Sequence, residues 1–397
     1  MKELKRRNFL KLSGLAMVPA LLPSFAVNAK SPEAAIKNDT PVSPLISFTD
    51  DGIHYPPDEY LAKLQEISKK NPIKADVYGG GGTLAALQKK FAEITGKEAA
   101  VYMPTGTMAN QLAISVLSGE NTKIFVQDTS HIYRDEADAA QSVHNKRLMP
   151  LAPNEPYFTL DDLKAGINYT NDGEVFKSGI GAVAIENPVR RCDGRQVPLE
   201  EIKKISEFCR SKGYKLHLDG ARLYLASAFG GASIAEYAAN FDTVYISLYK
   251  YLGADGGAIL CGEKAVIDKM EHLIKIYGGT IFSNWSKAAM ALYHLDGLED
   301  RLKKTAAQAT DLFEKLNKVS GLSVTALKGG SNIFDFKLTA GTDVKKFRKA
   351  LYENHKVIIR GAGPDGIIKL QVNETLLRTD NQFLVKAFSD SLSAAKA

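Results

Sequence analysis

Apolar and polar positions along this chain repeat with two periods, and the switches between them divide it into short strands and amphipathic helices. Pro56-Pro57-Asp58 opens a helix with Tyr60, Leu61, Leu64 and Ile67 on one face, ending near Asn71-Pro72. A second helix carries Leu84, Leu87, Phe91 and Ile94 at helical spacing. Short apolar runs predict strands over 99–103, 124–126, 181–185, 216–218 and 244–248. Helical patterns follow Pro104-Thr105-Gly106-Thr107 and cover 199–210, 221–239, 263–276, 285–295 and 299–319. The stretch 149–178, rich in Pro, Asn, Asp and Gly, predicts a loop. Strands near 322–325, 332–337, 357–360 and 367–372 with helices near 344–354 and 381–395 predict a smaller α+β part at the carboxyl end. The order of elements is that of an α/β fold, a mainly parallel sheet with helices on both faces. The expected division is an export signal over 1–29, an amino-terminal arm and helix over 30–74, a large domain over 75–297 and a small domain over 298–397.

Two of the apolar runs end in chemistry. Asp219 closes 216–218 and Lys250 follows 244–248. If these strands are parallel neighbours joined through 221–239, both side chains emerge at the carboxyl edge of the sheet, where open α/β folds bind ligands. An acid and a lysine at that edge suit pyridoxal 5'-phosphate, which needs a lysine for its aldehyde and a carboxylate to keep its ring nitrogen protonated. Thr105, Gly106 and Thr107 sit at a helix start, where free N–H groups and the helix dipole favour a phosphate, although a threonine there is also an ordinary cap. No GK[ST] phosphate loop and no G-x-G-x-x-G opens a helix, which weighs against nucleotides and dinucleotides. His131 follows the strand at 124–126 and reads either as a cap or as a ring that stacks on a flat ligand. The run Gly79 to Gly82 permits positive φ angles and close approach to a ligand or another subunit, or is a plain loop.

Composition changes little. With 397 residues, 45% hydrophobic and 24% charged, the chain can bury a large core. Of its formal +6, five cations against one acid lie before residue 30, so the remainder carries +2 and gives no reason to expect nucleic acid. That segment, KRRNFLK followed by an apolar stretch over 12–25 and a Val27-Asn28-Ala29 cleavage site, has the parts of an export signal, and Arg6-Arg7 resembles a twin-arginine signal. The apolar stretch is short and broken by Pro19 and Pro23, so a stable membrane anchor is not expected, and the expected location is the periplasm. Cys192, Cys209 and Cys261 show neither a CxxC nor metal-type spacing, so no metal is expected and at most one pair could bridge.

Several segments together resemble the threonine aldolase and β-eliminating lyase family of pyridoxal-phosphate enzymes, within the aspartate-aminotransferase fold group known as fold type I. They are DVYGGGG, GKEAAVYMPTGTMAN, HIYRDEA, LHLDGAR and SLYKYLGA, and the likeness spans about 45–375. The resemblance implies that Lys250 binds the cofactor aldehyde, Asp219 pairs with the ring nitrogen, His131 stacks on the ring, and Gly106 and Thr107 hold the phosphate. It also implies that Arg222 lies by the cofactor or the substrate carboxylate, that Tyr78 lies near a subunit interface, and that the protein is a homodimer or homotetramer. The substrate segments depart from the family pattern. Thr49-Asp50-Asp51-Gly52 stands for RSDT, Val189 for a histidine, and Lys369 for an arginine that grips the α-carboxylate. Lysine lacks that residue's planar fork. Arg190, Arg191 and Arg360 are candidates to compensate. The expected function is aldolase-type Cα–Cβ cleavage of a β-hydroxy amino acid, giving glycine and an aldehyde. β-Elimination releasing a keto acid and ammonia, and a non-catalytic exported binding protein, are the alternatives.

Overall fold

The computed structural model describes residues 45–396. The export signal expected over 1–29 and the arm over 30–44 lie outside them. The strands, in chain order, are β1 (Ile46–Ser47), β2 (Ala99–Met103), β3 (Lys123–Gln127), β4 (Arg147–Leu151), β5 (Ile180–Glu186), β6 (Lys215–Asp219), β7 (Thr243–Ser247), β8 (Ala258–Gly262), β9 (Leu322–Ala326), β10 (Ile333–Leu338), β11 (Val357–Ile358) and β12 (Ile368–Gln371).

Seven of them form one sheet in the order β2-β8-β7-β6-β5-β3-β4. From β7 through β6, β5 and β3 to β4 every neighbour is parallel, whereas β8 runs antiparallel to both β2 and β7. Strands β3, β5, β7 and β8 are buried at every position and β6 at every position but Lys215, as sheets covered on both faces require. Their residues and the facing helices build the main core, which includes Leu84, Leu87 and Phe91 of the helix Gly82–Thr95. The helix Gly106–Ser118 crosses the sheet over β5 to β8 and starts at its carboxyl edge.

A second core lies under the antiparallel sheet β12-β10-β9, where the helices Val344–His355 and Asn381–Lys396 enclose Phe336, Phe347 and Phe388. Ile46 and Phe48 belong to this core, because β1 pairs with β11. The 19-residue helix Leu298–Leu316 buries Leu298, Leu302, Ala309, Leu312 and Leu316, the spacing of one amphipathic face.

Several expectations need correction. The stretch 149–178 is not a loop: it contains the end of β4 and the helix Leu160–Gly173, started by a capping box between Thr159 and Asp162. The helix expected over 221–239 is two, Leu223–Gly230 and Ile234–Ala238, because Gly231 at φ +88° ends the first and Ser233 caps the second. The helix expected over 263–276 is likewise split, into Lys264–Ile267 and Met270–Ile276. β1 and β8 are strands the pattern did not indicate. All three cysteines are free. Among the described residues, no helix is long and apolar enough to cross a membrane.

Candidate active site

β6 and β7 are parallel neighbours with Asp219 registered on Tyr245, so the carboxyl edge of the sheet delivers Asp219 at the end of one strand and Lys250 three residues past the other. β5 adds Glu186, registered directly on Asp219, and the segment after β3 adds His131. Gln127 fastens β3 to β5 here: its Nε2 donates to the Glu186 carbonyl at 2.9 Å, and its Oε1 accepts the Glu186 N–H at 2.7 Å.

Asp219 is buried and held on both oxygens. Oδ1 accepts the Ala221 N–H at 3.1 Å and Oδ2 accepts Asn110 Nδ2 at 2.9 Å. The same Asn110 amide donates to Glu136 Oε1 at 2.8 Å, while Asn110 Oδ1 meets His217 Nε2 at 2.9 Å. His217 Nδ1 lies 2.8 Å from Thr243 Oγ1, and burial holds this imidazole down at about 4. It is therefore neutral, donating through Nε2 to the amide oxygen and accepting the threonine hydroxyl at Nδ1. A chain of three side chains, Asn110, His217 and Thr243, thus fixes the Asp219 carboxylate from behind.

His131 Nδ1 lies 2.9 Å from Glu136 Oε1, and that hydrogen bond raises the imidazole pKa against the effect of burial. Burial raises the Glu136 carboxyl, with His131 and Asn110 pulling the other way. One His131 nitrogen and one oxygen each from Glu136 and Asp219 lie within 4.8 Å of one another, a spacing that could suit a cation. The Asn110 amide donating to both carboxylates knits this cluster with hydrogens instead. Glu186 accepts the backbone N–H groups of His131 and Arg190, at 2.7 and 2.9 Å. Its carboxyl is pushed up to about 7 by burial and by the adjacent Asp219.

Lys250 is buried, and its ammonium is pushed down to about 8 by desolvation and then by Arg222, against the pull of Asp219 and Asp51. Gly52 lets the segment Thr49 to Gly52 lie on this backbone: a Cβ there would stand 2.5 Å from the Lys250 carbonyl oxygen. Two cavities meet at the lysine. One, of about 390 Å³, is bounded by Thr105, Gly106, Thr107, Asp219, Tyr245 and Gly257. The other, of about 820 Å³, is bounded by Asp50, Asp51, Arg190, Arg191, Arg360 and Gln371. His131, Asp135, Arg222, Tyr249 and Lys250 border both. A further cavity, of about 1000 Å³ beside Tyr55, Ile67 and Arg378, contains none of these groups.

The smaller cavity offers an amine, a fixed carboxylate, an imidazole and a helix start. Gly106 opens that helix and Thr105 caps it by accepting the Met108 N–H at 3.1 Å. Glycine is required at 106 because a Cβ would stand 2.0 Å from Tyr245 Oη. The donor set suits a flat, anionic ligand bearing an aldehyde and a basic ring nitrogen.

Lys250, Asp219, His131, Gly106, Thr107 and Arg222 are thus brought together. Arg222 donates through Nε to Asp51 Oδ2 at 2.8 Å, which makes Asp51 part of the site. Tyr78 is not brought there; it is exposed, edge-on to Phe282 at 5.3 Å, beside a different cavity. Lys369 is held by Asp193 at 2.8 Å and Asp335 at 2.7 Å, and Val189 is fully buried. Sequence reasoning passed over Asn110, Glu136, Glu186 and His217 as site residues. Glu186 carried the same strand-end signal as Asp219, and His217 stood out as a histidine inside an apolar strand.

The profile described as "Beta-eliminating lyase" matches residues 64–338. A low-specificity L-threonine aldolase of Candida albicans is 37% identical over 222 residues, which are 55% of this chain and 59% of that one. The match therefore spans less than two thirds of that relative. Low-specificity L-threonine aldolase 1 of Arabidopsis thaliana is 27% identical over 337 residues, 83% of this chain and 92% of that one. A solved structure from Exiguobacterium sp. 255-15, provisionally described as an aromatic amino acid β-eliminating lyase/threonine aldolase, superposes with a TM-score of 0.74 at 26% identity. It covers 89% of this chain and 98% of the other.

Proposed function

Because the chain belongs to the β-eliminating lyase family, we propose that it is a pyridoxal-phosphate-dependent lyase that cleaves the Cα–Cβ bond of a β-hydroxy amino acid, giving glycine and an aldehyde. One observation carries the reading: Lys250 is a buried amine of lowered pKa at the junction of two cavities, with the fixed Asp219 carboxylate bordering the smaller one. The residues fit the cofactor in their chemistry. Lys250 is the amine for its aldehyde, Asp219 the acceptor for a ring N–H, His131 the stacking ring, and the helix start at Gly106 and Thr107 the seat for its phosphate.

When bound, the cofactor supplies an electron sink for the pair left on Cα as the Cα–Cβ bond breaks. Asp219 would hold a proton on the ring nitrogen, and the hydrogen bonds from Asn110 and Ala221 keep the carboxylate in place for it. His131, with Nδ1 held by Glu136, has Nε2 left to take the β-hydroxyl proton, so that the departing fragment leaves as an aldehyde. Lys250 would hold the cofactor aldehyde and, with its lowered pKa, would be the amine placed to carry a proton back to Cα.

Borohydride reduction of the cofactor-loaded protein, followed by peptide mapping, tests the site. A phosphopyridoxyl group is expected on Lys250. Its presence on a different lysine, or a protein that retains no cofactor, contradicts the proposal.

The same reading extends to the whole protein. Val77, Tyr78, Ile281 and Phe282 are exposed large apolar side chains, and the Tyr78 N–H bonds the Phe282 carbonyl at 2.8 Å, so they form one patch that supports a second copy of this chain as partner. Arg6-Arg7 and the apolar stretch after them support export to the periplasm.

A further inference from the structure

The arginines bordering the cavity of about 820 Å³, and Lys369 beside it, are unequal in how they are neutralised. Arg190 and Arg191 both pair with Asp135, at 3.2 and 2.6 Å, and Arg222 pairs with Asp51 at 2.8 Å. Lys369, on β12, is held between Asp193 and Asp335. Arg360 differs: among the described residues, its guanidinium has no carboxylate partner. Its Nη2 donates to the Thr49 carbonyl and to Gln371 Oε1, the latter at 2.8 Å, and both acceptors are neutral. Nε and Nη1 have no partner among the described residues. Gln371 in turn donates to Asp51 Oδ1, so an amide stands between Arg360 and the nearby acid and keeps the two charges from cancelling. Asp50, on the same wall, accepts the hydroxyls of Ser47 and Thr49.

A guanidinium held in orientation by neutral acceptors, on the wall of the cavity that also opens onto Lys250, is arranged to receive an anion. We propose that Arg360 is the residue that binds the α-carboxylate of the amino-acid substrate, oriented by Gln371. This rests on the lyase reading above, which places the substrate amine at Lys250. The substrate's remaining fixed charge is its carboxylate, whose planar geometry matches the arginine fork and not a lysine. Gln371 is a positioning residue, acting through Arg360.

The test uses the full cofactor-loaded protein and two probes, glycine and methylamine, which differ by the carboxylate. Binding is followed by the absorbance of the bound cofactor, without turnover. In Arg360→Gln the affinity for glycine is expected to fall on the order of 100-fold, as for the loss of charge-assisted hydrogen bonds, while methylamine and cofactor affinity stay as in the parent. Arg360→Lys, which keeps the charge and loses the fork, is expected to fall in between. Gln371→Leu is expected to weaken glycine alone, by less than Arg360→Gln does. Unchanged glycine binding in Arg360→Gln overturns the proposal, as does an equal loss of methylamine. If the parent binds glycine no better than methylamine, the carboxylate anchor is absent while the cofactor chemistry stands. If the parent responds to neither probe, the lyase reading fails and the anchor with it.

Discussion

At the scale of single residues, burial does most of the chemical work. Lys250 has lost its water shell, and the neighbouring Arg222 adds repulsion, so its ammonium loses a proton near 8 instead of 10.5. The sign of the stability effect follows. Between about 8 and 10.5 the unfolded chain holds a proton that the native chain has released, so this residue's contribution to apo-protein stability rises as pH rises through that window. Urea unfolding of parent and Lys250→Met at stepped pH isolates it, since the raised tyrosine pKa values are common to both. The stability difference is expected to shift in the parent's favour from pH 8 upward; parallel curves would contradict a depressed lysine. Asp219 and Lys250 could be read from sequence because each follows an apolar run that needs no partner to be recognised. Asn110 and Glu136 could not, since their roles exist only where one helix, one short turn and β6 meet.

At the scale of elements, the parallel strands β3, β5, β6 and β7 and the helix at Gly106 explain why the site lies where it does. Strands that run the same way bring their ends to one edge, and the helix start carries its free N–H groups to that edge. The pattern revealed most of these elements, because strands buried on both faces are unbroken apolar runs. It failed where the signal was divided. The helix Leu160–Gly173 buries only Leu163, Ile167 and Thr170, and its outer positions include Asn168, Asn171 and Asp172, which read as loop. β8 is five residues after a glycine pair, and only its antiparallel pairing between β2 and β7 defines it. The double-helix form of 221–239 turned on Gly231, whose left-handed φ ends one helix within a pattern that reads as continuous.

At the scale of the whole molecule, two cores meet around the site: Thr49 to Gly52, the segment after β11 and β12 bring Asp51, Arg360 and Gln371 respectively to the large sheet's edge. The substrate side is therefore built from segments far apart in the chain, which is why its altered residues could be noticed in the sequence and their replacements could not be chosen. Export and self-association share one experiment. The full chain, produced in a bacterial host with a periplasm, is expected in the periplasmic fraction as a dimer or tetramer by light scattering, already holding its cofactor. Arg6→Lys with Arg7→Lys is expected to leave it in the cytoplasm, and Phe282→Glu to shift it toward monomer. A parent protein that stays in the cytoplasm contradicts export, and a monomeric parent contradicts the proposed interface.

The central claim is that this site breaks a Cα–Cβ bond. Its most direct test is a product assay with L-threonine, L-allo-threonine and phenylserine on the cofactor-loaded protein and on Lys250→Ala. Glycine and the matching aldehyde in equal amounts are expected from at least one substrate, and from none with the variant. A keto acid with ammonia in their place, or no product from any substrate, would contradict the account.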